Sequence, residues 1–403
     1  KLLLKSDKLS TRLQVSGTNA PEKKILTSLL EKLDLTVDKK ESSNPGRVGL
    51  GTSNVLSMAC ELLLNKSNNS SSFLLIEEPE AHIHAQRQLK VIQSLQNEAN
   101  SLSHQIILTT HSPLLASVVS LENIIVVKNG KTYSMAKGQT MLDTDDYLFL
   151  ERYLDATKAN LFFAKSVLIV EGPAEELLLP TVAKLLGRNF IDYGVSLVNV
   201  RGTGLRRFAR IFQRTDNKDL LDVKVACMTD RDIMPDCAPA ICIDEVYVDK
   251  TKWPKIEKRK WRTESDFTIT VEKDEKAEHI AAIKAKADGQ YVQTFVSDHW
   301  TLEYDLAYSG LMDELIDALV AVKYVDKNRS AKADEIRTAI NSLPTKEEKA
   351  SYLYSYFYGD STSKGECAQK LAMLLEKKYV GKPDEFKAKL PKYIIDAIEY
   401  VTM

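Results

Sequence analysis

Ser166-Val-Leu-Ile-Val-Glu-Gly-Pro-Ala-Glu-Glu176 decides how this chain is read. Val167 to Val170 form an unbroken apolar run, the pattern of a parallel strand covered on both faces. Glu171 follows at the carboxyl end of that strand, where open α/β sheets place their ligands. Gly172 suits a sharp turn, Pro173 a first helical turn, and Leu177 to Leu186 continue the helix. Glu175, in that first turn, is placed to point back at Glu171. A second acidic group, Asp230-Arg-Asp232, follows the apolar run Val223 to Met228. In an extended segment Asp230 and Asp232 face the same way. Two strand ends bearing carboxylates and no histidine point to a hard cation, Mg2+ or Mn2+.

Glu171-Gly172 with Glu175, followed by Asp230-x-Asp232 on a later strand, resembles the Toprim domain of topoisomerases, bacterial primases and OLD-family (overcoming lysogenisation defect) nucleases. An isolated acid at a strand end is ordinarily a solvated loop residue or a helix cap. Two such groups, in this order and each behind an apolar run, are much more specific.

The 403 residues allow two or three domains, and a formal charge of −1 with 44% hydrophobic residues describes an ordinary soluble protein. Net charge therefore gives no sign of a nucleic-acid partner, so any basic surface must be local. No membrane span or signal peptide is legible, and the five cysteines form no Cys-x-x-Cys pair. Free or buried thiols in a reducing cytoplasm are expected. The first residue, Lys1, suggests that further sequence precedes it.

Lys1 to Asp34 carries apolar residues at roughly helical spacing, with a stripe of Ile25, Leu26, Leu29, Leu30 and Leu33. Polar Val37 to Pro45 reads as a loop. Gly46-Arg-Val-Gly49-Leu-Gly51-Thr-Ser-Asn54 then leads into an apolar helix from about Val55 to Leu64, and such glycines let backbone N–H groups approach a phosphate. Phe73-Leu-Leu-Ile-Glu77-Glu78-Pro-Glu80 is a short apolar strand ending in acids, and Gln105-Ile-Ile-Leu-Thr-Thr-His111 is a second. Together they resemble the later part of an ABC-type ATPase head. That resemblance implies an ATP site with Gly49 and Gly51, Glu77 at the magnesium, Glu78 polarising the attacking water and His111 near the γ-phosphate. Glu80-Ala-His-Ile-His84 is similar to the matching tract of OLD-family ATPases.

Ile124 to Val127 and Thr132 to Ser134, joined at Asn129-Gly130, read as a hairpin, and Asp143 to Ala164 as a helical connection between domains. Beyond the first Toprim strand and helix, Arg201-Gly-Thr-Gly-Leu-Arg206-Arg207 is a glycine turn before a helix, open to two readings: a phosphate contact or a plain αβ loop with solvated arginines. An insertion at about 233–290 contains Lys250-Thr-Lys252-Trp253-Pro-Lys-Ile-Glu-Lys258-Arg259-Lys260-Trp261-Arg262, whose bases and tryptophans could hold DNA backbone and stack on bases. A solvated charged surface is the competing reading. In Thr301-Leu-Glu303-Tyr-Asp305-Leu306 the family resemblance picks Glu303 as a further metal ligand; Asp305, two residues on in an extended segment, competes. Ser309 to Met403 reads as amphipathic helices broken at Lys327-Asn328, Leu343-Pro344 and Pro383. Within it Lys364 resembles the lysine at the start of a family helix, which would stabilise charge on a cleaved phosphate.

The fold expected is α/β: a partial ABC-type ATPase lobe (1–150), a parallel-sheet Toprim domain (165–306) with its insertion, and a helical region (307–403). The OLD resemblance implies DNA hydrolysis with two Mg2+ or Mn2+ ions held by Glu171, Glu175, Asp230, Asp232 and Glu303, and catalysis by Glu171 and Lys364. It further implies control by ATP in the complete protein, a homodimer or higher oligomer, a helicase partner in some members, and a role in anti-phage defence. An SMC-like, recombination-mediator type of DNA-binding or repair protein, using the Toprim fold only as a scaffold, is the alternative. Topoisomerase and primase readings lack the tyrosine-bearing DNA gate and the polymerising domain they require. No Gly-x-x-x-x-Gly-Lys-Ser/Thr occurs in the chain. Purified, it is therefore expected to release no phosphate from ATP above background; turnover that Glu78→Gln stops would overturn this.

Overall fold

The computed structural model describes residues 9–15, 33–39, 49–66, 73–102, 105–202, 204–270 and 273–403. The chain divides into two compact units, Lys1–Val119 and Ser120–Met403, so that 120–150 sorts with the second unit.

In the first unit, β1 (Leu9–Val15) pairs antiparallel with β2 (Leu33–Lys39). This corrects the helical reading of both stretches and the loop reading from Val37. In Leu33-Asp-Leu-Thr-Val-Asp-Lys39 the apolar residues recur at every second position, and that period of two is a strand's. The stripe Ile25, Leu26, Leu29 and Leu30, and Gly46 to Val48, lie outside the described residues. Helix α1 runs over Leu50–Lys66, so Gly51 falls inside its first turn and not in a loop before it. Strand β3 (Phe73–Glu77), α2 (Ala85–Leu102), β4 (Gln105–Thr109) and α3 (Pro113–Val118) follow, with β3 and β4 parallel. Val55, Leu62, Val91 and Leu95 of the helices pack on Leu74, Ile76, Ile106 and Leu108. The alternate residues Phe73, Leu75 and Ile107 are exposed.

The second unit opens with the hairpin β5 (Ile125–Lys128) and β6 (Lys131–Ser134), turned by Asn129 and Gly130, both at positive φ. Helix α4 (Thr144–Tyr153) precedes β7 (Ser166–Val170), α5 (Pro173–Leu185), β8 (Val195–Asn199), α6 (Leu205–Arg210) and β9 (Lys224–Thr229). The insertion contributes short turns and helix α7 (Glu275–Lys284) before β10 (Val292–Val296). These strands form one parallel sheet in the order β10-β9-β7-β8. The chain steps outward from β7 to β8 and then returns to the other side of β7, so the switch in strand order lies between β7 and β9. Side chains 167–170 are wholly buried, as the apolar run requires.

The tail comprises α8 (Leu302–Leu306), α9 (Met312–Lys323), α10 (Asp326–Asn341), α11 (Lys346–Ser355), α12 (Lys364–Tyr379) and α13 (Lys392–Val401). Lys327 and Asn328 lie inside α10; the break falls at Tyr324 and Val325. Helix α12 packs along α5, and α13 covers β7, β9 and β10. The tail therefore completes the core of the sheet domain.

Candidate functional site

Strands β7 and β9 deliver Glu171 and Asp230 to the switch point, where the ends of neighbouring strands diverge and leave a crevice. Glu171 Oε1 accepts a 2.7 Å hydrogen bond from the Thr229 hydroxyl at the end of β9. Glu175 sits in the first turn of α5, where the helix dipole favours a carboxylate. Its Oε2 folds back over Gly172, so near that a Cβ there would stand 2.9 Å from it. Gly172 itself is in an extended conformation that any residue adopts, φ −136°. The glycine thus serves the close approach of Glu175 and not a sharp turn.

Burial, and then the charges of Glu303 and Glu171, raise the pKa of Glu175 to about 7. Asp230 is pushed well above the ordinary carboxylate range by burial and by Glu175 and Glu303, with Lys364 pulling the other way. Glu171 is raised by burial and by Asp232, against the Thr229 hydrogen bond. Glu175 and Asp230 each feel Glu303 and Glu171, and Glu171 feels Asp232, so these acids lie within electrostatic reach of one another.

Two of them arrive by unexpected geometry. Strand β9 stops at Thr229, Arg231 turns inward, and Asp232 is exposed at φ +58°. Asp230 and Asp232 therefore do not share a face of an extended segment. Residues 302–306 are helical, so Glu303 and Asp305 point to different sides. Asp305 accepts backbone N–H groups of His299 and Trp300 and is spent on that turn. Glu303, 7% exposed at its side chain, instead meets Lys364 Nζ at 3.1 Å. Packing of α12 on α5 brings Lys364 there, and the acids it faces raise its pKa despite burial.

Among the described residues no three His, Cys, Asp or Glu side chains stand close enough together to hold a metal as they are placed. The donor chemistry nonetheless fits a hard divalent cation. All the donors are carboxylates; burial first, and then their mutual repulsion, lifts Asp230 and Glu175, and Lys364 offsets only part of it.

The proposed DNA contacts divide. Trp253 and Trp261 pack edge to face at 5.4 Å, and the Trp253 indole N–H donates to the Tyr247 carbonyl. The Arg259 guanidinium lies over both rings and is paired with Asp266, its side chain only 4% exposed. These three residues pack on one another, Trp261 also on the unit's main core, and do not stack on bases as placed. Lys252, Lys258 and Lys260 remain exposed. Arg206 and Arg207 reach Asp146 at 3.3 and 2.9 Å, and Arg210 joins them at 3.7 Å. Asp146 is wholly buried, so Arg206 and Arg207 serve it in place of a phosphate. Arg201, exposed at φ +51° beyond β8, has its backbone N–H held by Asn199.

In the first unit Glu78 and His111 approach to 3.8 Å, both exposed. The Glu78 N–H donates to the Thr109 carbonyl, and Glu80 accepts from the Thr110 hydroxyl and the His111 N–H. Exposed Glu77 ends β3. Gly49 and Gly51 line a cleft of about 340 Å³ with His82, His84 and Arg87, and a Cβ on Gly51 would collide with the His82 carbonyl at 2.2 Å. Glu80, Thr229 and Arg231 are the residues that sequence reading passed over. Thr229 and Arg231 adjoin Asp230, but only their placement shows that they hold it and Glu171.

Glu175 releases its proton near 7 when folded, against an ordinary 4.5. Between these values the folded state binds more protons, so this group's contribution to stability falls as pH rises through the window. Cation binding needs the ionised carboxylates. Mg2+ or Mn2+ should therefore raise Tm more at pH 8 than at pH 6, and Glu175→Gln should flatten the difference. Equal cation-induced shifts at both pH values in the unaltered protein would remove Glu175 from the cation's surroundings.

Residues 5–116 match the AAA ATPase domain family. Residues 162–232 match the TOPRIM domain of overcoming lysogenization defect protein-like proteins. The chain is 23% identical over 240 residues to Endonuclease GajA of Bacillus cereus, covering 50% of this chain and 33% of that protein. It is 28% identical over 148 residues to the OLD nuclease of Thermus scotoductus, covering 35% and 28%. The C-terminal region of the Burkholderia pseudomallei OLD protein aligns at 22% identity and TM-score 0.35, over 60% of this chain and 98% of that one. The chain spans about a third of the length of the curated relatives it matches. It joins an AAA ATPase-domain region to an OLD-like Toprim domain, as the resemblance of its motifs to the OLD family implies.

Proposed function

We propose that this chain carries the nuclease centre of an OLD-family endodeoxyribonuclease that depends on Mg2+ or Mn2+. The observation that carries the reading is the mutual electrostatic influence of Glu171, Glu175, Asp230 and Glu303, which come from two strand ends and two helices, with Lys364 bonded to Glu303. Glu171, Glu175, Asp230, Asp232 and Glu303 would hold the cation. When bound, it would supply charge stabilisation to the phosphate and a more acidic water. Glu171, raised by burial and fixed at Oε1 by Thr229, keeps Oε2 to take a proton from attacking water. Lys364 can leave Glu303 for a non-bridging phosphate oxygen, where its charge counts most as negative charge develops.

The exposed Lys252, Lys258 and Lys260 would contact DNA phosphates without reading sequence, and Arg201, exposed beyond the end of β8, would serve the same use. In the first unit, Glu77, Glu78 and His111 would belong to an ATP site completed by sequence beyond this chain. That site would control an oligomer's access to DNA without supplying the cutting chemistry. Anti-phage defence is the setting this reading proposes. Two observations favour instead a scaffold that binds DNA without cutting it: Lys364 already pairs with Glu303, and among the described residues no three acids stand close enough to hold a metal.

Incubating supercoiled plasmid with the protein and Mg2+ or Mn2+ decides between them. Asp230→Ala and Asp232→Ala should abolish nicking while circular dichroism shows a normal melt, because each removes a carboxylate and no apolar core. Nicking by both at the unaltered rate would remove the nuclease assignment. Lys364→Ala should slow cleavage by about 10²-fold or more, the scale of losing a preorganised donor to a transition-state oxyanion. DNA affinity should change little, since one phosphate contact lowers the salt slope by only about one. Parallel loss of binding and rate would make Lys364 a DNA anchor.

A further inference from the structure

Arg231, between Asp230 and Asp232, does not face the crevice with them. Its side chain is 4% exposed and is anchored on both sides. One terminal nitrogen donates to the Asp298 carbonyl at 2.7 Å, beyond β10. The other donates to Glu264 Oε1 at 2.9 Å, in the insertion. Its backbone N–H donates to the Ser297 hydroxyl at 2.8 Å and to the Trp300 carbonyl at 3.1 Å. Glu264 Oε1 also accepts Lys276 Nζ at 2.7 Å, from the first turns of α7. The next residues, Ile233 and Met234, pair in parallel with Arg262 and Thr263, immediately before Glu264. The loop carrying Asp230 and Asp232 is therefore bolted to the insertion by a two-residue bridge and one charge-assisted hydrogen bond, and to the end of β10 by three further bonds.

The loop needs such restraint. Strand pairing of β9 ends at Thr229, Asp230 is held among like charges, and Asp232 occupies a conformation that costs a non-glycine residue energy. A charge-assisted bond from a buried guanidinium at the loop's centre resists both the repulsion and the strain, and half-exposed Glu264 lies where events at the insertion surface can reach it. We propose that Arg231 and Glu264 form a latch through which the insertion positions the Asp230–Asp232 loop. Arg231 is then a positioning residue whose side chain touches no reacting atom. The inference concerns the same crevice as the proposed function, but it requires only that the loop be held, not that DNA be cut.

Glu264→Ala tests it with the least damage, because Glu264 is half exposed and removes no core packing. Arg231→Met, Glu264→Gln and the unaltered chain complete the set. Hydrogen exchange of the amides of Arg231 to Ile233, in cation-free protein, is the first readout; it should accelerate in Glu264→Ala and Arg231→Met while the amides of β7 keep their protection. Glu264→Gln, which keeps the acceptor oxygen, should restore most of the protection. The second readout is the Mn2+ concentration at half-maximal thermal stabilisation, which should rise by about 10–100-fold in Glu264→Ala, as for other lost partners behind metal ligands. Unchanged exchange at 231–233 in both Glu264→Ala and Arg231→Met overturns the latch. So does a general loss of protection that includes β7, which would make the pair ordinary scaffold. Plasmid nicking is scored separately: a chain that never cuts DNA but loosens at 231–233 in Glu264→Ala has lost the nuclease reading and kept the latch.

Discussion

Like charges gathered at one end of a parallel sheet set the terms for the second unit. Asp230 and Glu175 are held where burial and neighbouring carboxylates both disfavour their ionised forms. Apolar burial elsewhere must offset that cost, since an uncompensated buried charge costs several kcal/mol in real proteins. The offset is visible in the wholly buried β7, in the close packing of α12 on α5, and in the cover that α13 gives the sheet. Functional sites are where a fold accepts such a local deficit.

The tail belongs to the site as much as to the core. Glu303 enters from α8 and Lys364 from the first residue of α12, and they meet only because α12 lies along α5, whose first turn holds Glu175. Tyr393 of α13 is wholly buried behind the same acids: burial raises its pKa, and Asp305, Asp230, Glu175 and Glu303 add to the rise. Burial keeps this phenol neutral, so it adds no further negative charge there. The sheet thus supplies the first carboxylates, and the helical tail supplies the counter-charge.

What could be read from sequence follows the range of the interactions involved. Val167 to Glu171 and Val225 to Asp230 were legible because a buried parallel strand has a local signature and its end has a fixed use. Glu303 and Lys364 lie 61 residues apart, and their meeting depends on helix packing, so only likeness to a family pointed to them. The geometry of Asp232 was misread because periodicity is silent on where a strand stops. For the tryptophans and Arg206, Arg207 and Arg259, sequence leaves two readings open for one common reason. An arginine and an aromatic ring satisfy each other, or a buried acid such as Asp146, as readily as they satisfy nucleic acid, and composition cannot distinguish the two. The first strands hide behind a roughly helical spacing of apolar residues, although Leu33, Leu35 and Val37 alternate as a strand's do.

The insertion gains a different meaning from this correction. Trp253, Trp261 and Arg259 pack against one another, and Trp261 also packs on the unit's main core, so the insertion carries a small packed core and not a loose basic run. Rigidity is what allows a surface element to act on a neighbour: a restrained segment can transmit a displacement, whereas a loose one absorbs it. Glu264 follows that core after the bridge at Arg262 and Thr263, and Arg231 stands between the two aspartates. Lysines on the outer face and the acidic loop on the inner one are thereby joined through a few bonded residues. Coupling of this kind would require two arrangements of the loop that differ in free energy, and the positive φ of Asp232 and the repulsion on Asp230 are the stresses that such a change would relieve.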